Sequence, residues 1–565
     1  MEQIKKILAA CIAKHIDGAL NEEEIINLME YPADAKNGDI CFPCFRLAKA
    51  FRKSPAAIAE ELSGKTELPA CVDKVSAVSG YVNFYFTSVC YTELLSGVTF
   101  DGDITKTGEG KTICIDFSSP NIAKKFHLGH IGTTIIGNSL RNIFGYCGYK
   151  VIAINHLGDW GTNFGKLICA YKMWSSKEKV ERDGVVELER IYAKFNKEAQ
   201  ENESLNQDAR DAFSELEKGN AEYREIWRSF REISLKEYMK TYNLLDITFD
   251  SFTGESFFTD KMPAVVEELR EKGLLKIDDG ASVVDLSAYN MPPSLILRRD
   301  GSTLYPTRDI AAAEWRKKEY DFTKCIYVTS AGQSLHFAQW FKVVELMGYK
   351  WAKDLIHVPY GTMSFNGEKL ASRTGNIIYL DDLLDQAVEK AEKIIEEKNT
   401  TLEDKHGTAI AVGVGAVVFN ALFNSRIKDV DFSWDTALSF EGNTGPYIQY
   451  TYARSCSVLR KCADITESGA GDYGRYEPNS DEKRLVKQLT LFRGKVQSAM
   501  NDCEPSVITR YLLETCGLFN QFYHSSTIIH AENETKLFRV ALTSAFKVIA
   551  GRCLDLLGMK KTEEI

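Results

Sequence analysis

The stretch from Thr112 to Asn155 constrains the fold more tightly than any other. Thr112-Ile-Cys-Ile-Asp-Phe117 is short, apolar and rich in β-branched residues, which predicts a buried strand. A polar turn of thirteen residues follows, ending in His127-Leu-Gly-His130. The spacing then predicts a helix over Gly132–Phe144, with Ile135, Ile136, Leu140 and Phe144 on one face. Tyr149–Asn155 reads as a second buried strand. Strand, helix, strand at this spacing calls for a right-handed crossover and parallel pairing. Ligands of such sheets sit beyond the carboxyl ends of the strands.

The turn itself carries chemistry. A glycine-containing turn that opens a helix presents backbone N–H groups to an anion. His127 and His130 bracket Gly129, where the absent side chain lets a nucleotide approach, and both imidazoles can reach its phosphates. The bland reading is that the two histidines pack or cap. Further sheet-type sequence appears at Ser282–Leu286, Leu295–Tyr305, Cys325–Ser330 and Leu355–Gly361. Pro306-Thr-Arg-Asp309 opens a helix over Ile310–Lys317, so Asp309 is either a functional carboxylate or a cap. After the last strand, the loop Gly367–Asn376 places Lys369 and Arg373 between glycines, an arrangement suited to charge developing on a pyrophosphate.

Around this region the chain divides. Residues 1–105 read as a separate α+β module with capping-box character at Asn21–Glu24, a basic helix over Arg46–Lys53 and a helix opened by Ser54-Pro55. Its run Lys74–Phe86 alternates, and aromatics such as those of Tyr81–Phe86 either stack on bases or form a core face. Residues 106–435 form the parallel-sheet region, interrupted at about 175–250 by charged helical sequence that reads as a solvated insertion. From about Asn420 the chain turns helical, giving an all-α region over 436–565. There Tyr447, Tyr450 and Arg454 share a helix face, either as a stripe for unstacked bases or as ordinary packing.

Composition excludes little. With 44% hydrophobic and 26% charged residues the chain is ordinary for a globular protein, and no apolar run is expected to reach the ~20 residues of a membrane span. Its start reads as an amphipathic helix, not a targeting segment. Fourteen cysteines lack a disulfide framework, and the Cys41-Phe-Pro-Cys44 pair has no second ligand pair, so core thiols in a reducing cytoplasm are expected, with no metal site. A net charge of −10 argues mildly against nucleic-acid binding but allows a local basic surface.

His127-Leu-Gly-His130 resembles the first signature of class I aminoacyl-tRNA synthetases, and Ser118-Ser-Pro-Asn-Ile-Ala-Lys124 before it resembles the version in arginyl-tRNA synthetases. The loop after Gly367 is similar to a degenerate second signature: Lys369 matches its first lysine, while Ser372 stands where the second belongs and Lys124 occupies the position thought to compensate. The resemblance covers nearly the whole chain. It implies a multidomain α/β fold with a Rossmann-like catalytic domain, an N-terminal module that touches the tRNA elbow, and a helical anticodon-binding domain. It implies activation of L-arginine by ATP with Mg²⁺ and transfer to tRNA(Arg), by a cytoplasmic monomer.

By the same resemblance, His127, Gly129, His130, Lys124, Lys369, Ser372 and Arg373 serve ATP and catalysis. Ser119, Pro120 and Asn121 hold the amino-acid end, His130 lies where both substrates meet, and Tyr305, Asp309 and Gln333 line the side-chain pocket. Asp116 and Glu255 are further carboxylates for a guanidinium, which pairs bidentately with such groups. Asn83, Asn443, Tyr447, Tyr450 and Arg454 are the expected tRNA contacts. Two other classes remain on sequence grounds: a nucleotidylyltransferase using only the first signature, and a catalytically silent tRNA-binding relative.

Overall fold

The computed structural model describes every residue except 33, 300, 370–377, 400, 464 and 466–472, and every side chain but those and 35, 368, 369, 398 and 533. The N-terminal module is a three-stranded antiparallel sheet, β1 (Ile40–Pro43), β2 (Val72–Val78) and β3 (Tyr81–Phe86), in the order β1-β3-β2, covered by helices. The capping box at Asn21 is present. The basic helix over 46–53 is not: a 3₁₀ turn, Phe45–Leu47, runs into one helical turn, Ala48–Phe51. Arg52 ends it in the left-handed region at φ 53°, and Ser54 at once caps the helix Pro55–Lys65.

The alternation in β3 resolves as core packing, since Val82, Phe84 and Phe86 are buried. Asn83 is 2% exposed, and its amide donates to the carbonyls of Ser76 and Tyr81. Its side chain is thus turned into the sheet. Cys41 and Cys44 are buried thiols of this module. Asp39 joins the module to the C-terminal helices: its carboxylate accepts from Phe86 N–H at 2.7 Å, from Tyr91 and from Lys487 Nζ at 2.9 Å.

The central sheet has four parallel strands, β4 (Thr112–Asp116), β5 (Lys150–Ile154), β9 (Lys324–Ser330) and β10 (Leu355–Tyr360), in the order β10-β9-β4-β5. The crossover helix Ile131–Tyr146 buries Ile135, Ile136, Leu140 and Phe144, as the periodicity predicts. The sheet-type sequence between 282 and 305 does not join these strands. It builds a separate antiparallel sheet of β6 (Leu275–Asp278), β7 (Ala281–Val284) and β8 (Ser294–Leu297). Tyr305 is already helical, the first residue of Tyr305–Tyr320, because Pro306 suits a first turn. Asp309 thus lies a full turn inside that helix and is not its cap. A last small sheet joins β11 (Met363–Phe365), β12 (Glu368–Lys369) and β13 (Val430–Phe432).

Two expectations change with the helices. The insertion folds as Lys177–Glu201, Ser204–Glu217 and Ala221–Leu244, but the third helix is no solvated accessory. Phe230, Ser234, Tyr238, Thr241 and Tyr242 form a buried face against the signature turn. Helical structure also starts before Asn420, with Leu380–Lys398 and Lys405–Phe423. The second of these is, by length and composition, apolar enough to cross a membrane, against the expectation that no such run exists. It is 72% buried, packed by Leu380–Lys398, Gly445–Arg460 and Ile131–Tyr146, and a helix surrounded on all sides is apolar all round.

Candidate active site

At the carboxyl ends of β4, β9 and β10 lies a cleft of about 570 Å³. The structure brings Asp116, Ser119, Asn121, His130, Glu255, Tyr305, Asp309 and Gln333 to its walls, together with residues the sequence did not single out, His156, Arg316 and His336. The turn after β4 is bent sharply. Ser118, Ser119 and Ala123 all adopt left-handed backbone, at φ 68°, 47° and 63°. Three such residues persist in one loop only where the surroundings hold them.

Those surroundings are visible. Ser118 N–H donates to Thr133 Oγ1 at 2.9 Å, and Ser118 Oγ meets Tyr242 OH at 2.7 Å. Ser119 Oγ donates to Asp116 Oδ1 at 2.8 Å and accepts from His156 N–H at 3.0 Å. Ala123 N–H donates to Ser234 Oγ at 2.8 Å, and Tyr238 OH lies 2.8 and 2.7 Å from the carbonyls of Asn121 and Lys124. Pro120 is buried and its carbonyl accepts from Gly158 N–H at 3.0 Å. A Cβ at Gly158 would stand 1.9 Å from Asn121 Oδ1, so no larger residue fits that turn.

The two histidines form one unit. Their ring centroids are 3.9 Å apart, with Phe126 stacked on His130 at 5.0 Å. His127 Nδ1 accepts from Gly129 N–H at 3.1 Å, and His130 Nδ1 accepts from His127 N–H at 3.2 Å. Burial, and then the charge of Lys124, holds His127 below the usual imidazole range. Burial and the neighbouring His127 push His130 down to about 3. Both rings are therefore neutral at neutral pH and, with Nδ1 accepting, carry the proton on Nε2 as a donor. The glycine between them has a second reason: a Cβ at Gly129 would lie 2.8 Å from the ring of His127. Lys124 is exposed at the lip of the turn.

The three carboxylates are differently engaged. Asp116 pairs with the fully buried Arg316 at 2.7 Å, and Glu255 with Arg308 at 2.8 Å. Each already answers an arginine of the chain itself. Burial drives the Glu255 carboxyl up to about 7 while the Arg308 guanidinium opposes the rise. Asp309 meets His336 Nε2 at 2.6 Å. Tyr305, four residues before Asp309, is 64% exposed on the same helix face, and Gln333 sits in the 3₁₀ turn Ala331–Gln333 at the end of β9.

The signature turn is also tied to the segment beyond the second loop. Leu128 N–H donates to Ile378 O and Leu380 N–H to Phe126 O, both at 2.9 Å. The loop expected to act with it lies mostly outside the described residues: Ser372 and Arg373 lie outside them, and Lys369 is described in its backbone alone. A second groove, of about 510 Å³, is lined by Tyr447, Tyr450, Arg454, Asn520, His524 and the end of the helix Leu380–Lys398. Arg454 lies 5.0 Å over the Tyr450 ring and 5.0 Å over Tyr523. Tyr447 OH accepts from Asn520 at 3.0 Å. Asn443 is exposed in the loop before this helix.

Three family models match along the chain. Residues 94–434 match the class I (R) tRNA synthetase catalytic domain, 448–565 the DALR anticodon binding domain and 2–86 the arginyl tRNA synthetase N-terminal domain. The arginine–tRNA ligases of Alkaliphilus metalliredigens and Clostridioides difficile are each 46% identical, over all of both chains. Among solved structures, the arginyl-tRNA synthetase of Thermus thermophilus superposes with a TM-score of 0.82 at 25% identity, covering 99% of this chain and 100% of that one.

Proposed function

The chain belongs to the arginyl-tRNA synthetases, class I enzymes that ligate arginine to tRNA at the expense of ATP, and from that premise we propose how its residues divide the work. The arginine carboxylate attacks the α-phosphorus of ATP, pyrophosphate leaves, and a ribose hydroxyl of the tRNA then takes the arginyl group and releases AMP. No side-chain nucleophile enters either step. The protein's task is placement and charge.

One observation carries this division: a single sheet-end cleft joins the neutral imidazole of His130 on one wall to the partly exposed carboxylate of Asp309 on the other. His127 and His130 offer Nε2–H to the phosphates, and Lys124, with Lys369 and Arg373, supplies the positive charge a leaving pyrophosphate needs. Ser119 and Asn121, held in the strained turn, take the arginine ammonium and carboxylate. Tyr305, Asp309 and Gln333 take its side chain, with Asp309 as the bidentate acceptor. Mg²⁺ would arrive on the ATP phosphates. The groove at Tyr447, Tyr450 and Arg454 is assigned to the anticodon of tRNA(Arg). We take the enzyme to work as a monomer in the cytoplasm.

The test is charging of tRNA with each of the twenty amino acids. Arginine alone should be esterified, with ATP cleaved to AMP and pyrophosphate. Charging of none, or ATP turnover with no need for tRNA in the overall reaction, would support the silent relative or the nucleotidylyltransferase instead.

A further inference from the structure

Of the fourteen cysteines, only Cys11, Cys71 and Cys169 reach solvent. Cys71 differs from the other two in what stands beside it. It lies in the turn that opens β2, and its carbonyl accepts from Thr87 N–H at 3.0 Å. Thr87 in turn caps the helix Ser88–Gly97, its hydroxyl accepting from Cys90 N–H at 3.2 Å. The first turn of that helix carries Cys90 back toward Cys71, and the two thiols share a hydrogen bond. Cys90 is 2% exposed. One sulfur of the pair is open to a small reagent, and the other is sealed behind it.

The shared proton makes the two sulfurs unequal. Hydrogen bonding from Cys90 holds the Cys71 thiol below the usual thiol range, against the burial that opposes it. Hydrogen bonding to Cys71, and then burial, pushes the Cys90 thiol up. Burial also lifts the thiols of Cys11 and Cys169. The thiolate is the nucleophile of sulfur chemistry, and a redox-sensing cysteine pairs an accessible thiolate with a second, resolving thiol. Cys114 and Cys325 also face each other, in register across β4 and β9, but both are fully buried.

We propose that Cys71 and Cys90 form a thiol–disulfide pair that a hydroperoxide closes and a reducing dithiol reopens. The Cys71 thiolate attacks one oxygen of the hydroperoxide and the O–O bond breaks. The leaving oxygen takes a proton from solvent and departs as water or an alcohol, and Cys71 becomes a sulfenic acid. Its negative charge is then gone and no longer holds the Cys90 proton. The Cys90 sulfur attacks the Cys71 sulfur, the S–O bond breaks, and the departing hydroxide leaves with the Cys90 proton as water. Two thiols are oxidised and one hydroperoxide is reduced. The new bond ties the start of β2 to the helix Ser88–Gly97. Tyr91, next to Cys90, donates to Asp39, which Lys487 answers from the C-terminal helices, so the tie sits at the joint between the N-terminal module and those helices.

The experiment exposes the folded, full-length protein, freed of reductant, to hydrogen peroxide and maps its cysteines by mass spectrometry of non-reduced peptides. A Cys71–Cys90 disulfide should form at least about tenfold faster than Cys11 or Cys169 is oxidised, because thiolate character and access together set the rate. Cys114 and Cys325 should stay reduced, and dithiothreitol should restore both thiols of the pair. Cys71→Ser should leave Cys90 unreacted. Cys90→Ala should stop Cys71 at the sulfenic acid, trapped as a dimedone adduct that the wild type does not accumulate. The mapping is read on the wild type, so it decides the matter even where the buried Cys90→Ala variant fails to fold. Oxidation of Cys11 or Cys169 as fast as Cys71 would overturn the proposal. So would a Cys11–Cys71 bond in place of Cys71–Cys90, or wild-type Cys71 running on to sulfinic acid while Cys90 stays a free thiol.

Discussion

Lys124 stands at the lip of the signature turn, close enough to lower the affinity of both His127 and His130 for protons. A cation there acts on charge that grows as pyrophosphate departs. Lys124→Ala should cut the single-turnover activation rate by at least tenfold and leave the arginine KM within about threefold, the pattern of an interaction made in the transition state. The neutral imidazoles give a second expectation: because burial keeps His130 uncharged far below pH 6, the KM for ATP between pH 6 and 8 should follow only the ionisation of the nucleotide's terminal phosphate, and a further break of the enzyme's own would show a histidine titrating in the site. At this scale the sequence was legible where a motif carried the residue. It was not legible for partners. Arg316, Arg308 and His336 stand within helical text, and nothing in their spacing announces that they answer Asp116, Glu255 and Asp309. That pairing depends on which helix faces which strand, a tertiary fact.

Among the elements, the insertion helix Ala221–Leu244 departs most from expectation. Its charged composition hid a stripe at Ser234, Tyr238 and Tyr242, four apart, which periodicity could have revealed. That stripe bonds two of the three left-handed residues, Ser118 and Ala123, and Thr241 reaches Asp381 at the start of the helix Leu380–Lys398. Ser234→Ala would leave the buried Ala123 N–H without a partner, at a cost of ~1–3 kcal/mol. The account expects kcat to fall with little change in tRNA affinity, and a fully active Ser234→Ala enzyme would show that the turn holds itself. The parallel strands and the crossover helix were readable from apolar runs and periodicity, and the N-terminal strands only as one alternating stretch. The strands at 281–297 were readable as strands but not as a separate sheet, because short apolar runs do not state their neighbours.

At the scale of the whole molecule, the helix Leu380–Lys398 runs from the segment bonded to His127 to the groove of Tyr447 and Tyr450. At 1.5 Å per residue its nineteen residues span about 28 Å. One rigid element thus ends in both sites. Tyr450→Ala should weaken tRNA use by ~1–3 kcal/mol per lost stack with arginine binding unchanged, and equal charging of a tRNA with an altered anticodon would contradict the groove's assignment. Through the same link, ATP–pyrophosphate exchange should stay near background without tRNA(Arg) and rise when it is added; strong exchange with arginine alone would contradict the coupling.

All of this turns on where arginine's guanidinium goes, and Asp309→Asn tests it most directly. The substitution keeps size and hydrogen bonding and removes one charge. Breaking a buried charge pair costs about 3–5 kcal/mol, roughly a 10²- to 10⁴-fold loss at 1.4 kcal/mol per decade. The account predicts a rise of that order in the arginine KM for tRNA charging, with the KM for ATP nearly unchanged. An arginine KM within about threefold of the wild type would contradict it.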